Sequence, residues 1–283
     1  MRYLLILLSL PFFFSVESLA QTQGPEKGSL IIIGGGRLDS VFYGKFMELA
    51  GGPEAEIVVI PTASGSPGLE DGSVARRIKA NFEARGFKKV SVLHTNDPAE
   101  ADTEDFVKPL TTASGVWITG GRQWRLVDSY LHNRTHQELK KVLERGGVIA
   151  GSSAGATIQG SYLARGDTKT NTIMMGDHEE GMAFVTQIAI DQHVLARNRQ
   201  FDMFRILDHH PELLGISLDE NTGIVVQGDE CEVIGASYAL IYDGTMWHSE
   251  TGTYKKLPPG SRQFYMLDAG SRYHLKDRKV ISP

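Results

Sequence analysis

Residues Ile149-Ala150-Gly151-Ser152-Ser153-Ala154-Gly155-Ala156 close an apolar run and lead into a helix-compatible stretch. The text Gly-Ser-Ser-Ala-Gly fits the G-x-S-x-G pattern, in which small flanking residues let the backbone take a strained strand-to-helix turn and leave the central hydroxyl open to substrate. Ser153 is therefore the candidate nucleophile. The same turn frees the following backbone N–H, that of Ala154, to donate to an oxyanion, and it aims a helix N-terminus at the reacting centre. Small-residue turns of this kind also occur where they only pack or bind phosphate, so the pattern needs support from the rest of the chain.

Upstream of this turn, short β-rich runs at 29–33, 56–60, 89–94, 115–119 and 147–150 alternate with segments expected to be helical near 41–50, 72–85, 101–110, 124–130 and 135–145. Continuous apolar strands alternating with helices predict βαβ units, a mostly parallel central sheet and helices on both faces, a three-layer α/β/α fold. Each early strand ends in small residues: Gly34-Gly35-Gly36, Pro61-Thr62-Ala63-Ser64, Gly120-Gly121-Arg122-Gln123 and Gly151-Ser152-Ser153. Ligands of open α/β sheets bind outside the carboxyl ends of the strands, so these loops mark the pocket. The glycine triplet lacks the spaced third glycine of a dinucleotide fingerprint and reads as a structural turn beside that pocket. From about residue 223 the text becomes strand-like, at 223–227, 232–236, 239–242 and 264–267, which predicts a β-rich C-terminal extension within the same domain.

The N-terminus has a different character. Arg2, an apolar run over 3–14 and Ser18-Leu19-Ala20 before Gln21 make the three parts of a secretory signal peptide, with cleavage expected after Ala20 and one domain spanning 21–283. The apolar core is too short for a stable membrane span, so no membrane association is expected after cleavage. The expected location is periplasmic or secreted. Of 283 residues, 41% are hydrophobic and 22% charged, enough to build a large core. A net charge of −5 without Lys/Arg runs argues against a nucleic-acid partner. Cys231 is the sole cysteine, which excludes a disulfide framework and a thiolate metal site.

A serine hydroxyl needs a base, and the base needs an acceptor that fixes its tautomer. Of nine histidines, His193 ends the strand-like stretch Ile190-Asp191-Gln192-His193; His94 also follows a strand and is the runner-up. His132, His136, His248 and His274 lie in polar surroundings. His209-His210 are adjacent, so their side chains diverge, and the spacing of a metal site is missing. Asp219 or Glu220 could orient the histidine, and Asp167, shortly after the serine, competes for that role. In each case the order is nucleophile, then either histidine or acid, with Ser, His, acid for the 219–220 pair. The α/β-hydrolases that share the elbow place the acid before the histidine, which argues against an esterase of that kind.

Taken together, these segments resemble the serine peptidases that include cyanophycinase and the aspartyl dipeptidase called dipeptidase E, whose fold is related to class I glutamine amidotransferases. The likeness lies in Val58-Val59-Ile60-Pro61-Thr62-Ala63-Ser64, Thr119-Gly120-Gly121 with Gln123, the serine turn, Asp191-Gln192-His193 with Arg197 and Arg199, and Leu218-Asp219-Glu220-Asn221. It implies Ser153 as nucleophile, His193 as base and then acid, Glu220 as orienter, and Gly121 and Ala154 as oxyanion donors. It also maps Gln123, Asp191, Gln192, Arg197 and Arg199 to the substrate pocket, where an arginine fork can grip a substrate carboxylate.

The implied activity is hydrolysis of aspartyl or β-aspartyl linkages in a peptide through an acyl-enzyme, with no cofactor and no metal, and a homodimer is one assembly the likeness allows. Two positions depart from the family pattern. Asp202 stands where cyanophycinases carry a third arginine, and Arg122 replaces an acidic or polar residue before Gln123. The altered charge separates the aspartyl-peptidase reading from a cyanophycin-degrading one and leaves an α-aspartyl dipeptidase as an alternative. A binding protein that holds acidic peptides through Arg197 and Arg199 without turnover is the rival from another class. Amide-nitrogen transfer is disfavoured because glutamine amidotransferases use cysteine at this turn.

Overall fold

The central strands are short apolar runs with no polar alternation, and the reason is that both of their faces are buried. The computed structural model describes residues 22–282; the expected signal segment lies outside them. The first half of the chain runs β1 (Ser29–Ile33), α1 (Ser40–Ala50), β2 (Glu56–Ile60), α2 (Ser73–Glu83), β3 (Lys89–Val92), α3 (Pro98–Ala101), α4 (Glu104–Thr112), β4 (Gly115–Ile118), α5 (Gln123–Tyr130) and α6 (Arg134–Glu144). Then come β5 (Val148–Ser152) and the single turn α7 (Ala154–Thr157). The stretch expected as one helix near 101–110 is two, because Asp97 caps α3 and Thr103 caps α4 through their side chains.

After a long connection follow β6 (Ile188–Gln192), α8 (Phe204–Leu207), β7 (Leu214–Leu218), β8 (Thr222–Gln227), β9 (Glu230–Gly235) and β10 (Ala239–Tyr242). The hairpin β11 (Thr245–His248) and β12 (Thr253–Lys256) precedes β13 (Tyr265–Leu267), β14 (Arg272–His274) and β15 (Lys279–Ser282). Among the described residues, nine strands form one sheet in the order β15-β14-β9-β8-β1-β5-β4-β2-β3. Its five strands β1 to β5 are parallel to one another, and the C-terminal strands add on antiparallel beside β1.

Alternate strand residues enter two cores. Ile31, Ile33, Val59, Trp117 and Ala150 pack with Phe42 and Phe46 of α1 and Phe82 of α2; Leu30, Ile32, Ile60, Ile118 and Ile149 pack with Leu110 of α4, Leu126 of α5 and Val142 of α6. Each fully buried Ile, Val or Leu stabilises the fold by roughly 1.5–3 kcal/mol, which is how a chain without disulfides holds these layers together.

The C-terminal half departs from a single-sheet picture. Strands β6, β7, β10 and β13 form a separate sheet, in the order β13-β10-β7-β6, and one face of it shares the core that covers α4 to α6. The chain leaves this small sheet at Leu218 and enters the large one at Thr222. The connecting Asp219-Glu220-Asn221 therefore sits on the seam between the sheets.

Candidate active site

The turn at Ser153 joins β5 to α7 with φ 56° and ψ −112° at the serine, a conformation that side chains other than glycine rarely adopt. Three contacts over-determine it. The Ser153 amide donates to Ile33 O at 2.9 Å. A Cβ on Gly151 would lie 1.9 Å from Gly155 O, and one on Gly155 would lie 2.2 Å from Ile118 O, so both outer glycines of the pattern are demanded by close backbone approach. Ala154 is the first residue of α7, where the backbone N–H has no partner within the helix.

His193 follows the last residue of β6 and also has a positive φ, 54°. Its amide donates to Gly34 O at 3.0 Å, which ties the small sheet to the end of β1. Its Nε2 stands 2.9 Å from Ser153 Oγ, and its Nδ1 stands 2.6 Å from Glu220 Oε1. Those two bonds make a relay from hydroxyl through imidazole to carboxylate. Burial pushes the imidazole below its ordinary pKa; the bond to Glu220 opposes this, and the charges of Arg197 and Arg199 add to it. The ring is therefore neutral near pH 7 and able to accept a proton.

The glycine triplet explains itself against these groups. A Cβ on Gly35 would come within 2.4 Å of His193 Cε1, and one on Gly36 within 2.7 Å of Glu220 Oε2. Three strand ends thus meet at one point, from β1, β5 and β6, with the seam residue Glu220 as the fourth contributor.

The remaining acids do other work. Asp219 Oδ1 accepts from the amides of Leu195 and Ala196 at 3.0 and 2.9 Å, and its Oδ2 accepts from Ser237 Oγ at 2.7 Å, so it braces the turn behind His193. Asp167 Oδ1 accepts from the amides of Lys169 and Thr170, both at 2.9 Å. It closes its own loop, and the Nδ1 bond of His193 goes to Glu220.

His94 is held by Thr62 at 2.8 Å. Among the described residues, no group of three or more His, Cys, Asp and Glu side chains is placed to hold a metal ion.

The residues mapped to the pocket divide. Gln123 is buried and donates through Nε2 to Ala164 O at 2.8 Å. Asp191 does not face a pocket at all: it is fully buried, and both carboxylate oxygens are taken by Arg165, Oδ1 by Nε at 2.7 Å and Oδ2 by Nη2 at 2.8 Å. Arg165 Nη2 also reaches Asp202 Oδ2 at 2.7 Å. Burial opposes the charge on this guanidinium, and the bonds and charges of Asp191 and Asp202 outweigh it.

Arg165 was not visible as a functional residue in the sequence. The signal that could have found it is the charge reversal at Asp202, which puts a second carboxylate beside Asp191 and calls for a cation. Arg199 is likewise buried rather than solvated, and among the described residues Nη1 donates to Gln192 O and Oε1, both at 3.3 Å. Burial, and after it the charge of Arg165, lowers the pKa of Arg199. Arg197 is exposed, and its side chain has no hydrogen-bond partner among the described residues.

The profile of peptidase family S51 matches residues 30–234. The chain belongs to this family. It is therefore a serine-type peptidase, a hydrolase. Similar proteins include a cyanophycinase from Geminocystis herdmanii, 30% identical over 90% of this chain and 97% of its own length, and one from Nostoc sp., 30% identical over 92% and 90%. A peptidase from an acI-B1 Actinobacterium, known from a crystal structure, superposes with a TM-score of 0.65 at 22% identity, covering 89% of this chain and 98% of its own, which shows a shared fold. The S51 match ends within β9, so the later strands lie beyond the part that defines the family.

Proposed function

We propose that this S51 peptidase is exported and hydrolyses aspartyl or β-aspartyl (isopeptide) linkages through an acyl-enzyme on Ser153. The observation that carries this reading is the relay of 2.9 Å from Ser153 Oγ to His193 Nε2 and 2.6 Å from His193 Nδ1 to Glu220 Oε1. Glu220 accepts from Nδ1–H, which leaves the lone pair on Nε2 facing the hydroxyl. His193 removes the serine proton as Oγ attacks the scissile carbonyl. The amides of Gly121 and Ala154 receive the oxyanion, and the imidazolium returns its proton to the leaving nitrogen. Water then repeats the sequence on the acyl-enzyme.

The electrostatics suit an acidic substrate. Among the described residues Arg199 is buried without a carboxylate bonded to it and Arg197 has no side-chain partner, so an α-carboxylate on an aspartyl residue would supply the missing counter-charge. The cyanophycinases among the similar proteins support the aspartyl class. Asp202, paired with Arg165, favours a small aspartyl dipeptide over the arginine-bearing polymer as substrate, because a carboxylate stands where the polymer-degrading relatives are expected to carry an arginine. Export rests on the signal-like text of residues 1–20.

The test is a screen of α- and β-linked aspartyl dipeptides read by mass spectrometry, with the wild-type and Ser153→Ala proteins side by side. Turnover of at least one aspartyl member by the wild type alone is expected. Cleavage confined to peptides without aspartate would contradict the substrate assignment.

A further inference from the structure

A cavity of about 260 Å³ opens beside the nucleophile on the α1/α2 side of the sheet, and none of Arg165, Arg197 and Arg199 lines it. Gly36, Gly120 and Ser152 are among the residues that line it. Two of these residues touch the catalytic relay: a Cβ on Gly36 would lie 2.7 Å from Glu220 Oε2, and one on Gly120 would lie 3.1 Å from Ser153 Cβ and 3.6 Å from Ser153 Oγ. Having no side chains, neither adds bulk between the cavity and the relay.

The cavity wall is aromatic. Tyr43 and Trp117 stack with centroids 4.9 Å apart and an interplanar angle of 4°, and Phe82 meets Trp117 edge-on at 5.6 Å. Arg85 covers the Tyr43 ring at 4.2 Å, so the stack is pinned from one side by a cation–π contact. The polar groups are neutral. Thr119 Oγ1 is buried with no hydrogen-bond partner, Ser152 adds a second hydroxyl, and Asn81 sits at the rim on α2. No charged side chain lines the space. It is smaller than the roughly 300–1,000 Å³ typical of pockets that enclose a whole drug-sized ligand, and it suits a single side chain.

Resting on the aspartyl reading above, we infer that this cavity is the subsite for the residue across the scissile bond from the aspartate, and that it selects a neutral aromatic side chain there. With the aspartyl α-carboxylate on the arginine side and Ser153 between, the leaving residue is directed toward Gly36, Gly120 and the aromatic wall. A ring offered to the Tyr43 and Trp117 stack gains offset or edge contacts. A charged leaving residue would lose hydration with no counter-ion in the cavity to replace it.

The experiment compares kcat/KM for β-aspartyl-phenylalanine, β-aspartyl-arginine and β-aspartyl-glycine in the wild type and in Asn81→Trp. Asn81 is an exposed helix position, so the bulkier residue can be carried without loss of the fold, and a thermal melt verifies this. The expected result is a phenylalanine-to-glycine ratio above about ten in the wild type, falling about tenfold in Asn81→Trp as the indole fills the rim. Turnover of the glycine peptide with a ratio that Asn81→Trp leaves unchanged overturns the subsite alone, as does a preference for the arginine peptide. No turnover of any aspartyl peptide overturns the substrate reading on which the subsite rests.

Discussion

The serine turn and the buried ion pair behind His193 belong to one site, yet they are built in opposite ways. The turn is written in five consecutive residues, two of them glycines on which a Cβ would lie 1.9 and 2.2 Å from backbone oxygens, and they carry the positive φ of Ser153. The ion pair is assembled from afar. Arg165 comes from the connection after the elbow, Asp191 from β6 and Asp202 from the turn before α8, so the three meet only in the folded chain. Local strain presents a nucleophile; non-local charge holds the strand that brings the base to it.

The contrast predicts different consequences on the two sides. The largest effect expected is that of Ser153→Ala, a fall of about 10⁴- to 10⁶-fold in kcat with an unchanged melting temperature, because the relay acts as a unit. Measuring kcat on the best aspartyl dipeptide together with a thermal melt checks both halves. Arg165→Met should do the reverse in kind. It leaves Asp191 buried and unpaired, so stability should drop by about 3–5 kcal/mol in urea denaturation, while the nucleophile's own turn is untouched. A loss under 1 kcal/mol would mean that the pair does not hold β6 in place.

Gly121→Ala tests the second oxyanion donor. Gly121 has φ +147°, and a Cβ there would lie 2.0 Å from Ala63 O, so the loop must shift. A fall of about 10²–10³ in kcat with little change in KM is expected for losing one donor. Asp202→Asn should cost less than Arg165→Met, about 1 kcal/mol or below, since the Asp202 side chain is 39% exposed and solvent screens its bond to Arg165.

The smallest effect concerns pH. His193 must be neutral to accept the serine proton, and burial holds its pKa below 6.5, so kcat/KM should be flat above that value and fall as pH drops below it. Arg197→Ala removes a positive neighbour and should move that midpoint upward. A downward move would show that Arg197 does not act on the imidazole.

Much of this site could be read before any coordinates. The strand-to-helix turn, the histidine at a strand end and an acid after the next strand are each tied to a short pattern, and the parallel strands follow from unbroken apolar runs that two helical layers must cover. What stayed hidden is pairwise and distant. The resemblance maps Asp191 to the pocket, yet its carboxylate is fully buried and taken by Arg165, a partner 26 residues earlier that no local pattern reveals. Asp219 and Glu220 are adjacent on the seam between the sheets, where one residue braces the turn and the next meets the imidazole. The second sheet was hidden for a related reason. The strands from β6 onward have apolar text like those of the first sheet, and only their pairing partners separate them.

The central claim is that Ser153, and not its neighbour Ser152, is the nucleophile activated by His193. A serine-directed fluorophosphonate small enough for the pocket, followed by peptide mapping by mass spectrometry, tests it directly. The account predicts one adduct per chain, located on Ser153 and lost in His193→Ala. An adduct on Ser152, or equal labelling of Ser153 in the His193→Ala protein, would contradict it.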